Sequence, residues 1–464
     1  LGDADGIESA SVPSLRSVTL MNNSNGRIDH LRGTIPFNEL MLSQPTNSFQ
    51  GEPQSVDDII NIQFTSGTTS SPKAACLTHR SILNNGHFIG ERMGLTENDV
   101  VCCPPPLFHC FGCILGYMAT ATHGSAIVFP SEAFNPEATL RAVQEEKATA
   151  LYGVATMFVA ELELLANGTV PYEGFEHLRT GIAAGSSVPS TLMRKLHETL
   201  NLTGLTICYG MTETSPVSCM TTPDDPLEKR LDSVGRLMPH VEAKVVDVHD
   251  PSRILPLGEK GELAVSGYIV MKGYWGDKKK TEEVRKVEID PKTGEEKVWM
   301  LTGDEASMDE EGYVKITGRI KDLIIRGGEN IHPLEVENSL FAHPLVSEVS
   351  VVGLPDEKYG ECVAAFVVPH TGVTVEDGPP MAEQGASTTD ALAKAPSGTR
   401  DGGHGVLTRA ELRTWVREKL SHHLVPKYIF WAKEYPKTAS GKIQKFKLQE
   451  DGVRLLKEGR GKAY

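Results

Sequence analysis

The middle of the chain alternates short apolar runs with helix-like stretches, and this constrains the fold more than any other feature. Residues 148–153 and 205–209 are short apolar strands that end in glycine-containing turns. Between such runs, Asn135 followed by Pro136 reads as a helix N-cap with proline at the first helical position. Strands alternating with helices imply a mainly parallel sheet, with ligands held at the strand ends.

The flanking regions have different textures. Residues 1–50 give no clear element. Residues 59–64 (IINIQF) read as a buried strand. A Thr/Ser/Gly loop follows, then a second apolar piece over 74–77. Thr78 is placed to cap a helix carrying Ile82, Leu83, Phe88 and Ile89. After Gly235, short strands at 241–248, 261–266 and 313–317 indicate a β-rich subdomain. Beyond Arg319 a compact α+β piece is expected, with a helix starting at Pro333 and strands at 346–352 and 362–368. A capping box from Thr408 to Glu411 opens a helix with Leu412, Trp415, Val416 and Leu420 on one face. Residues 371–407, rich in small and polar types, read as a disordered surface insertion.

With 464 residues, the chain is long enough for a large α/β domain and a smaller second one. A formal net charge of −15 argues against a nucleic-acid partner and against adsorption to an anionic membrane. No apolar run reaches transmembrane length, and no secretory signal opens the chain. The eight cysteines lie in apolar surroundings and suit free thiols in a reducing compartment. Cys102, Cys103, His109, Cys110 and Cys113 cluster, but only Cys110 and Cys113 have paired metal-ligand spacing. Buried small cysteines are the expectation there.

The strongest chemical signal is the run Thr65, Ser66, Gly67, Thr68, Thr69, Ser70, Ser71, Pro72 and Lys73. Small hydroxyl residues and a glycine let backbone and side-chain donors approach a polyphosphate, and the lysine adds a point charge. The spacing is not that of a Walker P-loop, and a strand rather than a helix should follow Lys73. Read alone, the run could be a plain surface turn. Tyr209-Gly-Met-Thr-Glu213 closes a strand and supplies an acid for a metal–nucleotide. Thr302-Gly-Asp304, Gly318-Arg319-Ile-Lys321 and the segment from Pro436 to Lys442 follow in order.

Taken together, these motifs resemble the adenylate-forming (AMP-binding) superfamily: acyl-CoA synthetases, peptide-synthetase adenylation domains and beetle luciferases. The resemblance spans roughly residues 59–450. Segments 106–112, 233–239 and 261–275 look most like the medium-chain acyl-CoA synthetases, including acyl-CoA synthetase family member 2. It implies a large N-terminal domain of mixed α/β layers with a β-rich subdomain, then a small mobile α+β C-terminal domain. The division is expected at 1–320 and 321–464.

The resemblance also implies roles. Thr65 to Lys73 would wrap the β- and γ-phosphates of ATP. Ala184, Gly185 and Ser186 would line the adenine, with Tyr209 stacked on it. Thr212 would touch the α-phosphate, Glu213 would hold Mg²⁺, and Asp304, with Arg319 beside it, would accept from the ribose hydroxyls. Lys442 would bridge the acyl carboxylate and the α-phosphate. Lys321 would be the hinge, and Gly327, Gly328 and Glu329 would line the tunnel for CoA. Phe108, His109, Gly210 and Met211, helped by Val154, Ala155 and Thr156, would shape the acyl pocket; His109 could equally be a core histidine. The implied activity is ATP-dependent ligation of a carboxylic acid, expected to be a medium-chain fatty acid, to CoA inside the cell, in cytoplasm or mitochondrion. A peptide-synthetase-type module and an inactive nucleotide-binding relic are the alternatives. Members of the superfamily have well over a hundred residues before the phosphate loop and this chain has 64, so a chain lacking much of the first subdomain is expected.

Overall fold

The computed structural model describes residues 9–15, 17–21, 34–42, 53–65, 72–184, 188–289, 293–376, 405–438 and 442–460. Two compact units, Leu1–Ser55 and Val56–Tyr464, are distinguished. In the first, Thr19–Leu20 and Ile35–Pro36 pair in parallel ahead of the Phe37–Leu42 helix.

The second unit is built on the expected parallel sheet. Strands Ala126–Val128, Val100–Cys102, Ala150–Gly153, Thr180–Ala183 and Gly204–Gly210 lie side by side in parallel. Val217–Met220 and Arg236–Leu237 extend the sheet antiparallel. Side chains alternate between faces, so each strand feeds two cores. Val101, Ala150, Tyr152 and Ile182 enter one; Cys102, Leu151, Ala183 and Leu205 enter the other. Helices Pro136–Glu145, Ala155–Ala166 and Ser190–Leu200 cover the second face. Asn135 caps the first of these through the Ala138 amide, with Pro136 at its first turn, as expected.

Thr78 caps the His79–Met93 helix in a reciprocal box with Ser81, and Gly94 ends it in a left-handed conformation. The strand before it departs from expectation. Ile59–Thr65 forms, but Ile60, Ile62 and Phe64 are exposed, Phe64 to 71%, and Gln63 is the buried residue. Among the described residues the strand is the edge of a three-stranded sheet, paired with Lys73–Thr78 alone. An unbroken apolar run predicts two covered faces, and here one face is open.

The β-rich region is an antiparallel sheet of Val241–Val246, Gly261–Gly267, Glu296–Met308 and Arg285–Ile289, with Val314–Arg319 on Glu296–Met308. After it, Val346–Asp356 pairs with Gly360–Pro369, and Tyr428–Trp431 joins in parallel. Helices Pro333–Phe341 and Arg409–Lys419 cover one face of this sheet, and Lys445–Lys457 covers the other. Thr408 accepts from the Glu411 amide as expected, but the Glu411 carboxylate reaches His343 instead of closing the box. The insertion expected over 371–407 is ordered at its ends, where Thr374–Glu376 pairs with Val406–Thr408. Residues 377–404 lie outside the described residues. All eight cysteines are free, seven of them buried. Among the described residues, no helix is long and apolar enough to cross a membrane.

One buried acid in this fold has a measurable consequence. Glu161, on Ala155–Ala166, is fully buried, and neither carboxylate oxygen has a hydrogen-bond partner among the described residues. Burial pushes its carboxyl well above the usual range. The unfolded chain ionises this group near its ordinary value, about 4.3. Stability is therefore lost as pH rises from there toward the raised folded value. Glu161→Gln keeps the shape and removes the ionisation. Scanning calorimetry should show its Tm roughly 2–4 °C above the parent at pH 8, with the gap closing near pH 4.

Candidate active site

Five chain segments converge at the carboxyl ends of the parallel strands, where α/β sheets hold their ligands. Gly204–Gly210 delivers Tyr209, Thr180–Ala183 leads to the buried Ala184, and Ala150–Gly153 leads to Val154. Tyr209 donates its hydroxyl to Asp304 Oδ2 at 2.6 Å. Asp304 is opposite Arg319 in strand register, and Arg319 Nε meets Asp304 Oδ1 at 3.0 Å. Burial, and then the Asp304 charge, push the Tyr209 phenol well up, so it remains a donor. An aromatic face beside a paired carboxylate and guanidinium is a suitable receptor for a base and its ribose.

A second cluster lies beside it. Thr65 and Lys73 face each other where Ile59–Thr65 and Lys73–Thr78 pair antiparallel. A strand does follow Lys73, as expected. Lys73 Nζ donates to the Tyr274 hydroxyl at 3.1 Å, and Tyr274 donates to Glu213 Oε1 at 2.7 Å. Burial pulls Lys73 below its usual range, with Glu213 opposing and Lys280, Lys321 and Arg319 adding to the drop. Ser66 to Ser71, Gly185 and Ser186 lie outside the described residues.

Glu213 is buried in the turn Thr212–Thr214 after the strand. Its close neighbour Thr212 is 3.9 Å from the Cys110 thiol. One Glu213 oxygen takes the Tyr274 hydroxyl. A lone buried carboxylate beside a hydroxyl fits Mg²⁺, which is usually held by one or two carboxylates together with substrate phosphates. Among the described residues, no three His, Cys, Asp or Glu side chains form a cage of their own.

Lys442 reaches the same place from the C-terminal part of the chain. Its amide donates to Thr438 Oγ1 at 3.1 Å, and its carbonyl accepts from the Thr438 amide at 2.8 Å. Burial and Arg319 lower its ammonium pKa, while Asp304, Asp322 and Glu213 raise it. His109 is lowered by burial and by Lys442. Its Nδ1 accepts from the Phe111 amide at 3.1 Å, at the start of the π-helix Phe111–Met118. His109 is partly exposed, not sealed in a core. Phe108 is 68% exposed and is not enclosed, whereas Met211 is partly buried.

Gly210 is fixed by close approach: a Cβ there would stand 1.7 Å from the Pro216 carbonyl oxygen. Gly210→Ala must shift the backbone between Tyr209 and Thr212. Steady-state kinetics on folded protein should show kcat/KM reduced by roughly 10²-fold, the scale of a 1 Å misplacement.

Not every expected site residue joins the cluster. Gly327 and Gly328, both at positive φ, form the two-residue turn between Ile324–Arg326 and Glu329–Ile331. That turn, with Glu329, is exposed in this conformation. Lys321 is exposed in the short turn Ile320–Asp322. Tyr274, which bridges Lys73 and Glu213, was given no role from the sequence, although it lies within segment 261–275.

Residues 12–275 match the family model of the AMP-binding enzymes, and residues 335–442 match that of the AMP-binding enzyme C-terminal domain. The chain is 47% identical over 405 residues to the acyl-CoA ligase sidI of Aspergillus fumigatus, covering 86% of this chain and 62% of that protein. It is 38% identical over 454 residues to the mitochondrial medium-chain acyl-CoA ligase ACSF2 of Danio rerio, covering 96% and 66%. The chain thus spans less than two thirds of these relatives' lengths. Its structure superimposes on ATP-bound MatB from Rhodopseudomonas palustris with a TM-score of 0.71 at 28% identity, covering 87% of this chain and 70% of that one.

Proposed function

The chain belongs to the AMP-binding enzyme family, and from that premise we propose that it joins a carboxylic acid to CoA through an acyl-adenylate. The observation that carries this reading is the Tyr209–Asp304–Arg319 contact at the strand ends, with the Lys73–Tyr274–Glu213 chain of hydrogen bonds beside it. Such a site puts cations and donors where two anions must meet.

In the first step, a carboxylate oxygen of the acid attacks the α-phosphorus of ATP. The bond to the bridging oxygen breaks, and pyrophosphate leaves with its electron pair. Positioning and charge stabilisation supply most of the acceleration in such a transfer. Tyr209 receives the adenine, Asp304 accepts from the ribose hydroxyls, and Arg319 holds Asp304 in place. Residues Thr65 to Lys73 enclose the β- and γ-phosphates, and Thr212 donates to the α-phosphate. Lys442 spans the incoming carboxylate and the α-phosphate. Mg²⁺, held by Glu213, would neutralise phosphate charge when bound.

In the second step, the CoA thiolate attacks the acyl carbonyl and AMP leaves. The thiol needs the space Lys442 occupies. We therefore take residues 1–320 and 321–464 to move as two bodies about Lys321, bringing Gly327, Gly328 and Glu329 to the site. The separate hydrophobic cores of the C-terminal part support this division.

We take the acid to be a medium-chain fatty acid, supported by the likeness to ACSF2 and by apolar Met211 beside Gly210. Eight free thiols support a reducing compartment, cytoplasm or mitochondrion. The test supplies ATP, Mg²⁺ and CoA with short-, medium- and long-chain aliphatic and aromatic acids and detects thioesters by mass spectrometry. Medium-chain acids should give the highest kcat/KM; preference for an aromatic or short acid overturns that assignment.

A further inference from the structure

Two carboxylate–histidine contacts cross the boundary between residues 1–320 and 321–464. The first is on the Ala155–Ala166 helix. Glu163 Oε1 accepts from Ser347 Oγ at 3.2 Å and meets His370 Nδ1 at 3.3 Å. Ser347 is only 7% exposed, and it and His370 lie at the paired ends of Val346–Asp356 and Gly360–Pro369. The second is beside the hinge. His332, the residue before the Pro333–Phe341 helix, places Nε2 3.2 Å from Glu305 Oε1, with both side chains largely buried. Thr317 donates to the same Glu305 oxygen at 2.7 Å.

These contacts coexist with a placement of Lys442 within electrostatic reach of Asp304 and Glu213, and neither contact involves those residues. We propose that Glu163 with Ser347 and His370, and Glu305 with His332, are positioning clasps that hold the C-terminal body in the pose that serves adenylate formation. The inference rests on the two-step reading above. A single pose cannot serve both steps, so a clasp that favours one necessarily opposes the other. Two points of attachment, one near Lys321 and one remote from it, resist rotation better than one at the hinge alone. The His370 contact holds the Glu163 carboxyl below its usual range against the opposing effect of burial, with Ser347 adding to it, as for an engaged acceptor.

The test separates the half-reactions in Glu163→Gln, His332→Gln and the double variant. Acid-dependent pyrophosphate–ATP exchange should slow by about threefold to tenfold in each single variant. The double variant should slow by the product, with KM for ATP unchanged within about twofold. Thioester formation from supplied acyl-adenylate should be as fast or faster. Amide hydrogen exchange over residues 320–332 should quicken in all three. Equal slowing of both half-reactions, or no change in either, overturns the clasps. A parent enzyme with no exchange activity at all would instead overturn the proposed function. The hydrogen-exchange result would then still decide whether these contacts restrain the hinge.

Discussion

Lys442→Ala is expected to cut acid-dependent pyrophosphate–ATP exchange by about 10²–10³-fold, the cost of removing one preorganised charge donor from a transition state. ATP affinity should change only a few-fold, because Tyr209, Asp304 and the phosphate loop remain. Thioester formation from supplied adenylate should be nearly intact, since the proposed second step does not use the lysine. The geometry makes this split a sharp expectation. The backbone at Lys442 is held by its own contact with Thr438, and the Tyr209–Asp304–Arg319 group is tied by its own bonds, so loss of the lysine side chain leaves that group untouched. Equal loss in both half-reactions would show that Lys442 supports the fold rather than the first step.

Asp304→Ala should have the next largest effect, and on a different parameter. Asp304 holds the Tyr209 hydroxyl with one oxygen and Arg319 with the other. Hydrogen bonds to a charged group contribute about 1.5–3 kcal/mol each, so KM for ATP should rise about 10–100-fold. An ATP analogue lacking both ribose hydroxyls separates the causes. The parent should discriminate strongly against it, and Asp304→Ala should hardly discriminate at all. If the variant still prefers ATP by the parent's ratio, the carboxylate does not read the ribose.

Much of this was legible in the chain. Gly204–Gly210 with Tyr209 near its end, the capped helices at Thr78 and Asn135, and the strand that starts at Lys73 follow from local pattern. Local pattern works there because period and cap chemistry act within a few residues. The open face of Ile59–Thr65 was not legible, because an apolar run does not say how many faces have a partner. Tyr274 was missed for a related reason: its role depends on Lys73 and Glu213, 201 and 61 residues away. Glu163, Glu305 and His332 look like ordinary surface residues in sequence, and only tertiary placement pairs them across the boundary. The π-helix that begins after His109 also carried no sequence signal.

The most direct test of the central claim is isotope exchange between labelled pyrophosphate and ATP, with Mg²⁺ and a carboxylic acid present and CoA absent. Adenylate formation predicts label entering ATP at a rate that saturates with the acid, is lost without it, and falls in Lys442→Ala. Tight ATP binding with no acid-dependent exchange, for any acid in an aliphatic and aromatic series, would contradict it.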